Sequence, residues 1–156
     1  MKIKFIQINK TDQKWVQEGI EIYEKRIDRY IAYEKVIVEI NNSKGKTPEQ
    51  TLLIECDKVL GLIKSNEILI LLDEIGQEFN SVEFAQFLNK RFTSTSSDII
   101  FLIGGAYGFH EKLKQRANFT IALSKLTFTH QMVRVIFLEQ LYRAMTILKN
   151  EPYHHL

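Results

Sequence analysis

Ile99-Ile100-Phe101-Leu102-Ile103-Gly104-Gly105-Ala106-Tyr107-Gly108 is an unbroken apolar run stopped by a glycine-rich turn. A run this short and this apolar is what a strand looks like when both faces of its sheet are covered. Residues 68–72 form a second such run. Helical patterns lie between and around them. Thr47-Pro48-Glu49-Gln50 matches a capping box with proline at the first helical position. It opens a helix with Leu52, Leu53, Cys56, Val59, Leu60 and Ile63 on its apolar side. Asn80 with Glu83 repeats the capping pattern ahead of Phe84, Phe87, Leu88 and Phe92. Upstream, residues 2–8 alternate like a strand with one buried face. Thr11 or Asp12 is a candidate cap for a helix reaching Tyr30, with Trp15, Ile20, Tyr23 and Ile27 turned inward. Residues 34–40 read as a strand and 41–46 as a polar loop. Downstream come a short helix at 110–116, a strand at 119–123, a loop at 124–128, a long helix from Thr129 to Leu148 and a tail.

Strands alternating with helices predict an α/β domain over residues 1–156, with a mainly parallel sheet flanked by helices. Ligands of such sheets bind at the carboxyl ends of the strands. The loops after Leu72, Ile103 and Leu123 are therefore the ones to inspect. Asp73-Glu74-Ile75-Gly76 reads as a turn.

Composition narrows the class. The chain has 156 residues, 45% apolar and 26% charged, as expected of a globular protein with its own core. No apolar stretch approaches the roughly 20 residues of a membrane helix. The N-terminus lacks a signal-peptide pattern, so a cytoplasmic location is expected. One cysteine, Cys56, rules out a disulfide within the chain, and its place on an apolar helix face marks it as core. Charge is uneven. Residues 1–109 carry 14 Lys+Arg against 16 Asp+Glu, net −2, and residues 110–156 carry 7 against 3, net +4. All four histidines also lie in that second part. A polyanion such as RNA would be drawn to that end, although solvated lysines would give the same count.

Single motifs carry less. The glycine turn 104–108 lacks the dinucleotide spacing, and no P-loop occurs. There is no G-x-S-x-G elbow. His130 at the start of the long helix, where the dipole disfavours a charged imidazole, is a candidate proton acceptor. Arg134, four residues on, is a candidate phosphate contact. Glu139 and Arg143 have the spacing of a helix-surface ion pair. His154-His155 beside His130 is a poor metal set without a carboxylate cluster, so no metal is expected. Tyr153 in the tail seeks a surface to lie on.

Three segments together are more specific. Phe101-Leu102-Ile103-Gly104-Gly105 with Gly108 is the first. The second is Leu123-Ser124-Lys125-Leu126-Thr127-Phe128. The third is His130-Gln131-Met132-Val133-Arg134-Val135 with Glu139-Gln140, Tyr142-Arg143-Ala144 and Pro152-Tyr153-His154. In these the chain resembles the RlmH family, pseudouridine N3-methyltransferases of large-subunit ribosomal RNA in the SPOUT superfamily. The similarity in length and element order runs from Met1 to the tail.

The resemblance implies a SPOUT-type fold with a C-terminal trefoil knot, S-adenosylmethionine as methyl donor, and action on 23S rRNA in the assembled ribosome. It implies a homodimer in which one subunit's tail completes the other's site. It places the cofactor on Leu72, Gly104, Leu123, Ser124, Lys125, Leu126, Thr127 and Phe128. It points to His130, His154 and Arg134 for the chemistry, and to Arg134, Arg143, Tyr153 and His154 for the RNA. Thr129 stands where the family usually has proline, and the tail ends in His155-Leu156 where a basic residue is usual. The rival expectations are a ribosome-associated S-adenosylmethionine-binding protein without activity and a flavodoxin-like binder. Methylation of rRNA in a strain lacking the gene, and a flavin spectrum, separate them.

Overall fold

The computed structural model describes residues 1–41 and 45–155. The expected polar loop at 41–46 falls partly on residues 42–44, which lie outside the described residues. Five strands form one sheet: β1 (Ile3–Ile8), β2 (Tyr33–Val38), β3 (Ile68–Glu78), β4 (Ile99–Ile103) and β5 (Phe119–Ala122). Their order is β2-β1-β4-β3-β5, and every pairing is parallel. The helices are α1 (Lys14–Ile27), α2 (Pro48–Leu60), α3 (Ser81–Ser94), α4 (Glu111–Arg116) and α5 (Met132–Leu148).

Strand alternation divides the interior into two layers. Phe5, Ile70, Ile99, Phe101 and Ile103 face α1, α3 and α5, where Val16, Ile20, Leu88, Phe137 and Leu141 meet them. Ile6, Leu69, Leu71, Ile100 and Leu102 face the opposite way, toward Cys56 and Val59 of α2 and Leu113 of α4. The continuous apolar runs of β3 and β4 are thus covered on both faces, which is why they lack alternation. Phe137 joins the first layer, with its ring 4.7 Å from Phe101 and 5.2 Å from Phe5.

Both expected capping boxes form. Thr47 accepts from the Gln50 amide while the Gln50 side chain accepts from Thr47, and Asn80 and Glu83 do the same. The start of α1 differs from expectation. Gln13 is its cap residue but its side chain caps no helix amide, and Trp15 is 57% exposed. The buried residues of α1 are Val16, Ile20 and Ile27, one position out of phase with Trp15.

The largest departure is in β3. Residues 73–76 are not a simple turn, because the strand runs on to Glu78. Ile121 of β5 is the partner of both Leu72 and Gln77, so 73–76 leave the ladder between two pairings with the same residue. Gly76 makes that passage against bare backbone. A Cβ there would lie 2.6 Å from atoms of Thr120 and Ile121.

Candidate active site

The carboxyl ends of β4 and β5 and the middle of β3 line a cavity of about 600 Å³. Its wall comes mainly from three segments. Leu72, Asp73 and Glu74 come from the point inside β3 where its pairing with β5 is interrupted, Ile103 to Gly108 leave β4, and Leu123 to His130 leave β5 with Lys125 turned aside. Concave sites of this size hold drug-sized ligands. Leu72, Leu123, Leu126 and Phe128 supply apolar surface, and the glycine turn supplies main-chain groups without side chains in front of them.

The segment after β5 is held by its own polar side chains. Ser124 Oγ accepts from the Leu126 amide at 2.9 Å, and Thr127 donates to Glu74 at 2.6 Å across the cavity mouth. Thr129 Oγ1 accepts from the Met132 amide at 3.2 Å, and its carbonyl accepts from Val133. Threonine thereby supplies the turn into α5 that a proline would otherwise impose.

Of the residues expected at a cofactor site, Leu72, Gly104, Leu123, Ser124, Leu126, Thr127 and Phe128 line this cavity. Lys125 does not. Its side chain is 83% exposed and lies 3.5 Å from Glu78. His130 lines the cavity and is exposed, but it stands in a turn ahead of α5, not on the helix. His130 and Arg134 therefore do not share a helical face.

Arg134 is a correction. Its side chain is fully buried, with Nη2 donating to the Ile8 carbonyl at 2.7 Å and Nη1 to Thr11 Oγ1 at 2.8 Å. Burial pushes the guanidinium pKa down, partly opposed by Asp12. A side chain turned into the protein cannot also hold a phosphate outside it. Gln131 acts beside it. Its Oε1 accepts from the Asp12 and Gln13 amides and its Nε2 donates to Asp12. Thr11 and Asp12 thus do not cap α1 with their own side chains. Gln131 caps that helix from across the fold.

Other cations of the basic segment are also committed. Arg116 donates to the carbonyls of Lys64 and Glu67 at 2.8 Å each. Arg143 pairs with Glu139 one turn back on α5, as the spacing predicts. The charge excess of residues 110–156 therefore overstates the cations available to a polyanion.

Arg143 organises the tail. Its Nη1 lies 3.3 Å from His154 Nδ1, its guanidinium stacks 4.8 Å from the Tyr153 ring, and Tyr153 donates to Glu139 at 3.1 Å. Tyr153 also packs on Tyr142 with ring centres 4.7 Å apart. Burial, with the Glu139 carboxylate adding to it, pushes the Tyr153 hydroxyl pKa up. The tail is therefore seated on α5 and Tyr153 has the surface it was expected to seek. Neither Tyr153 nor His154 lines the cavity of the same chain.

The family described as "Predicted SPOUT methyltransferase" matches residues 1–154. The chain belongs to this family. Full-length relatives agree with the SPOUT methyltransferase assignment. A Geobacter metallireducens protein named ribosomal RNA large subunit methyltransferase H is 47% identical over 155 residues, covering 99% of each chain. A protein of the same name from Trichlorobacter lovleyi is 44% identical, covering 99% of this chain and all of that one. Another, from Parabacteroides distasonis, is 45% identical with 99% of each covered. Among solved structures, a putative methyltransferase from Legionella pneumophila with bound SAM matches at TM-score 0.49 and 13% identity, over 90% of this chain and 65% of that one.

Sequence reasoning passed over residues in and behind the cavity wall. Asp73 and Glu74, read as part of a turn, form one wall. Glu55 of α2 lies behind the glycine turn, and nothing local in the sequence marks it. Among the described residues no helix is long and apolar enough to cross a membrane.

Proposed function

We propose that this chain transfers the methyl group of S-adenosylmethionine to N3 of a pseudouridine in 23S rRNA, acting on the assembled ribosome as a cytoplasmic homodimer. The observation that carries this reading is the cavity walled by Leu72, Gly104 and the Leu123–Phe128 segment, with His130 at its edge. The cavity's apolar walls and glycine-lined main chain suit an adenosine with a charged amino-acid end.

S-adenosylmethionine, when bound, supplies a methyl group already activated on a positive sulfonium. The chain has to hold the donor in line with the base nitrogen and remove that nitrogen's proton. His130 is exposed on the wall and has a ring nitrogen able to take the proton. His154 and Tyr153 do not line their own cavity, and in this reading they serve the site of a second copy of the chain. There Arg143 holds both in position. Arg134 has no part in this chemistry. It anchors the segment after β1 to α5.

Transfer of labelled methyl to intact ribosomes, compared with separated subunits, tests the substrate. His130→Ala and His154→Ala are each expected to lower the rate by about a hundredfold, the usual weight of a proton-handling group. Mixing the two variants separates the subunits' roles. If the tail acts across the dimer, half the dimers are mixed and each has one intact site. The mixture then recovers about a quarter of wild-type activity. No recovery would place both histidines in one subunit's site, and unchanged rates in both single variants would remove them from the mechanism.

A further inference from the structure

Two glutamates are buried among the described residues, Glu55 and Glu67. Glu67 is paired with Lys4. Glu55 has no cation within ion-pair distance among the described residues. It is 6% exposed and shares a small, mostly apolar cleft with Ile8, Leu52, Val59, Leu102 and Phe109, with His110 also on its lining. An acid in such surroundings is costly unless something hydrogen-bonds it. Burial raises its pKa, and the neighbouring Gly105 backbone partly opposes that rise.

The contact is close as well as polar. A Cβ on Gly105 would lie 2.6 Å from Glu55 Oε1 and 3.0 Å from Oε2. Gly105 lines the cavity, so the carboxylate stands directly behind the wall. Within the turn, a single bridge joins Gly105 to Gly108, with a 3.3 Å bond from the Gly108 amide to the Gly105 carbonyl. Glu55 itself is fixed, because α2 is capped at Thr47 and packed through Cys56 and Val59.

We propose that Glu55 is a positioning residue for the cavity, its carboxylate accepting the Gly105 N–H and holding residues 104–108 in the shape that receives the cofactor. The cofactor part rests on the reading given under Proposed function. The hydrogen bond does not.

The test compares Glu55→Met, which keeps the length and apolar fit but loses the acceptor, with Glu55→Gln, which keeps an acceptor oxygen. Calorimetry with S-adenosylmethionine is expected to show Glu55→Met weakened by about tenfold or more, the scale of a lost bond to a charged group, and Glu55→Gln within about threefold of wild type. Gly105→Ala should also weaken binding. Its effect in the Glu55→Met background should fall well short of the sum, because the two changes act on one contact. Hydrogen exchange at the Gly105 amide, without ligand, is expected to be faster in Glu55→Met and near normal in Glu55→Gln. Equal losses in the Met and Gln variants, or unchanged binding and exchange in Glu55→Met, would overturn the proposal. If the wild-type chain binds no S-adenosylmethionine, the reading of the cavity fails, and the exchange result still decides the role of Glu55.

Discussion

Arg134→Ala is expected to destabilise the fold by about 4 kcal/mol and to lower the melting temperature by roughly 10 °C. Two bonds from a buried guanidinium are lost, to the Ile8 carbonyl and to Thr11. The Ile8 carbonyl would lose that partner in the interior, and a long side chain's volume would be left empty. Arg134→Lys should recover little, since one ammonium cannot reproduce a fork that reaches two acceptors. The lysine variant also separates the two roles proposed for this residue. A phosphate contact made through charge would survive the change in part, whereas a buried clamp would not. Thermal melts with ribosome-binding measurements decide between them. A wild-type melt with weakened ribosome binding would return Arg134 to the RNA surface.

What the sequence reveals depends on how far apart the cooperating residues lie. The capping boxes at Thr47 and Asn80 are read correctly because both partners sit within one turn. The two apolar runs are read correctly because burial on both faces leaves its mark on every residue of the strand. The cap of α1 is misread because the acceptor is Gln131, 118 and 119 residues away from the amides it serves. Arg134 is misread for the same reason, and spacing on a supposed helix face made it look like a partner of His130. Trp15 is misread because tryptophan weights an amphipathic pattern heavily, and the packed stripe runs through Val16 and Ile20. The cavity stands between these cases. Its three loops follow from the general geometry of parallel sheets, and its particular residues come from the family resemblance. Glu55 is marked by neither, since the glycine it meets lies on a distant segment of the chain.

Gly76 is where the missed extension of β3 has its strongest consequence. Its requirement is for space. Among the described glycines, those at positive φ are Gly45 and Gly108, and Gly76 is not one of them. Each of the three nearest atoms to a Cβ at position 76 is backbone, at 2.6 Å, so no rotamer change relieves the contact. Gly76→Ala must push β5 away from β3 or undo the pairing beyond Leu72. The expected cost is about 3 kcal/mol or more, at the upper end of overpacking effects. The damage should reach the cavity, because Leu72–Glu74 and Leu123–Phe128 form two of its walls and flank the disturbed crossing. Gly108→Ala is the matched comparison. Its φ of +78° strains an alanine, but nothing lies within 4 Å of the new carbon. That change should cost only about 1–2 kcal/mol. Melting curves and calorimetry with S-adenosylmethionine on both variants are expected to show Gly76→Ala the worse in each. If Gly76→Ala melts and binds like wild type, residues 73–76 do not pass β5 as closely as described.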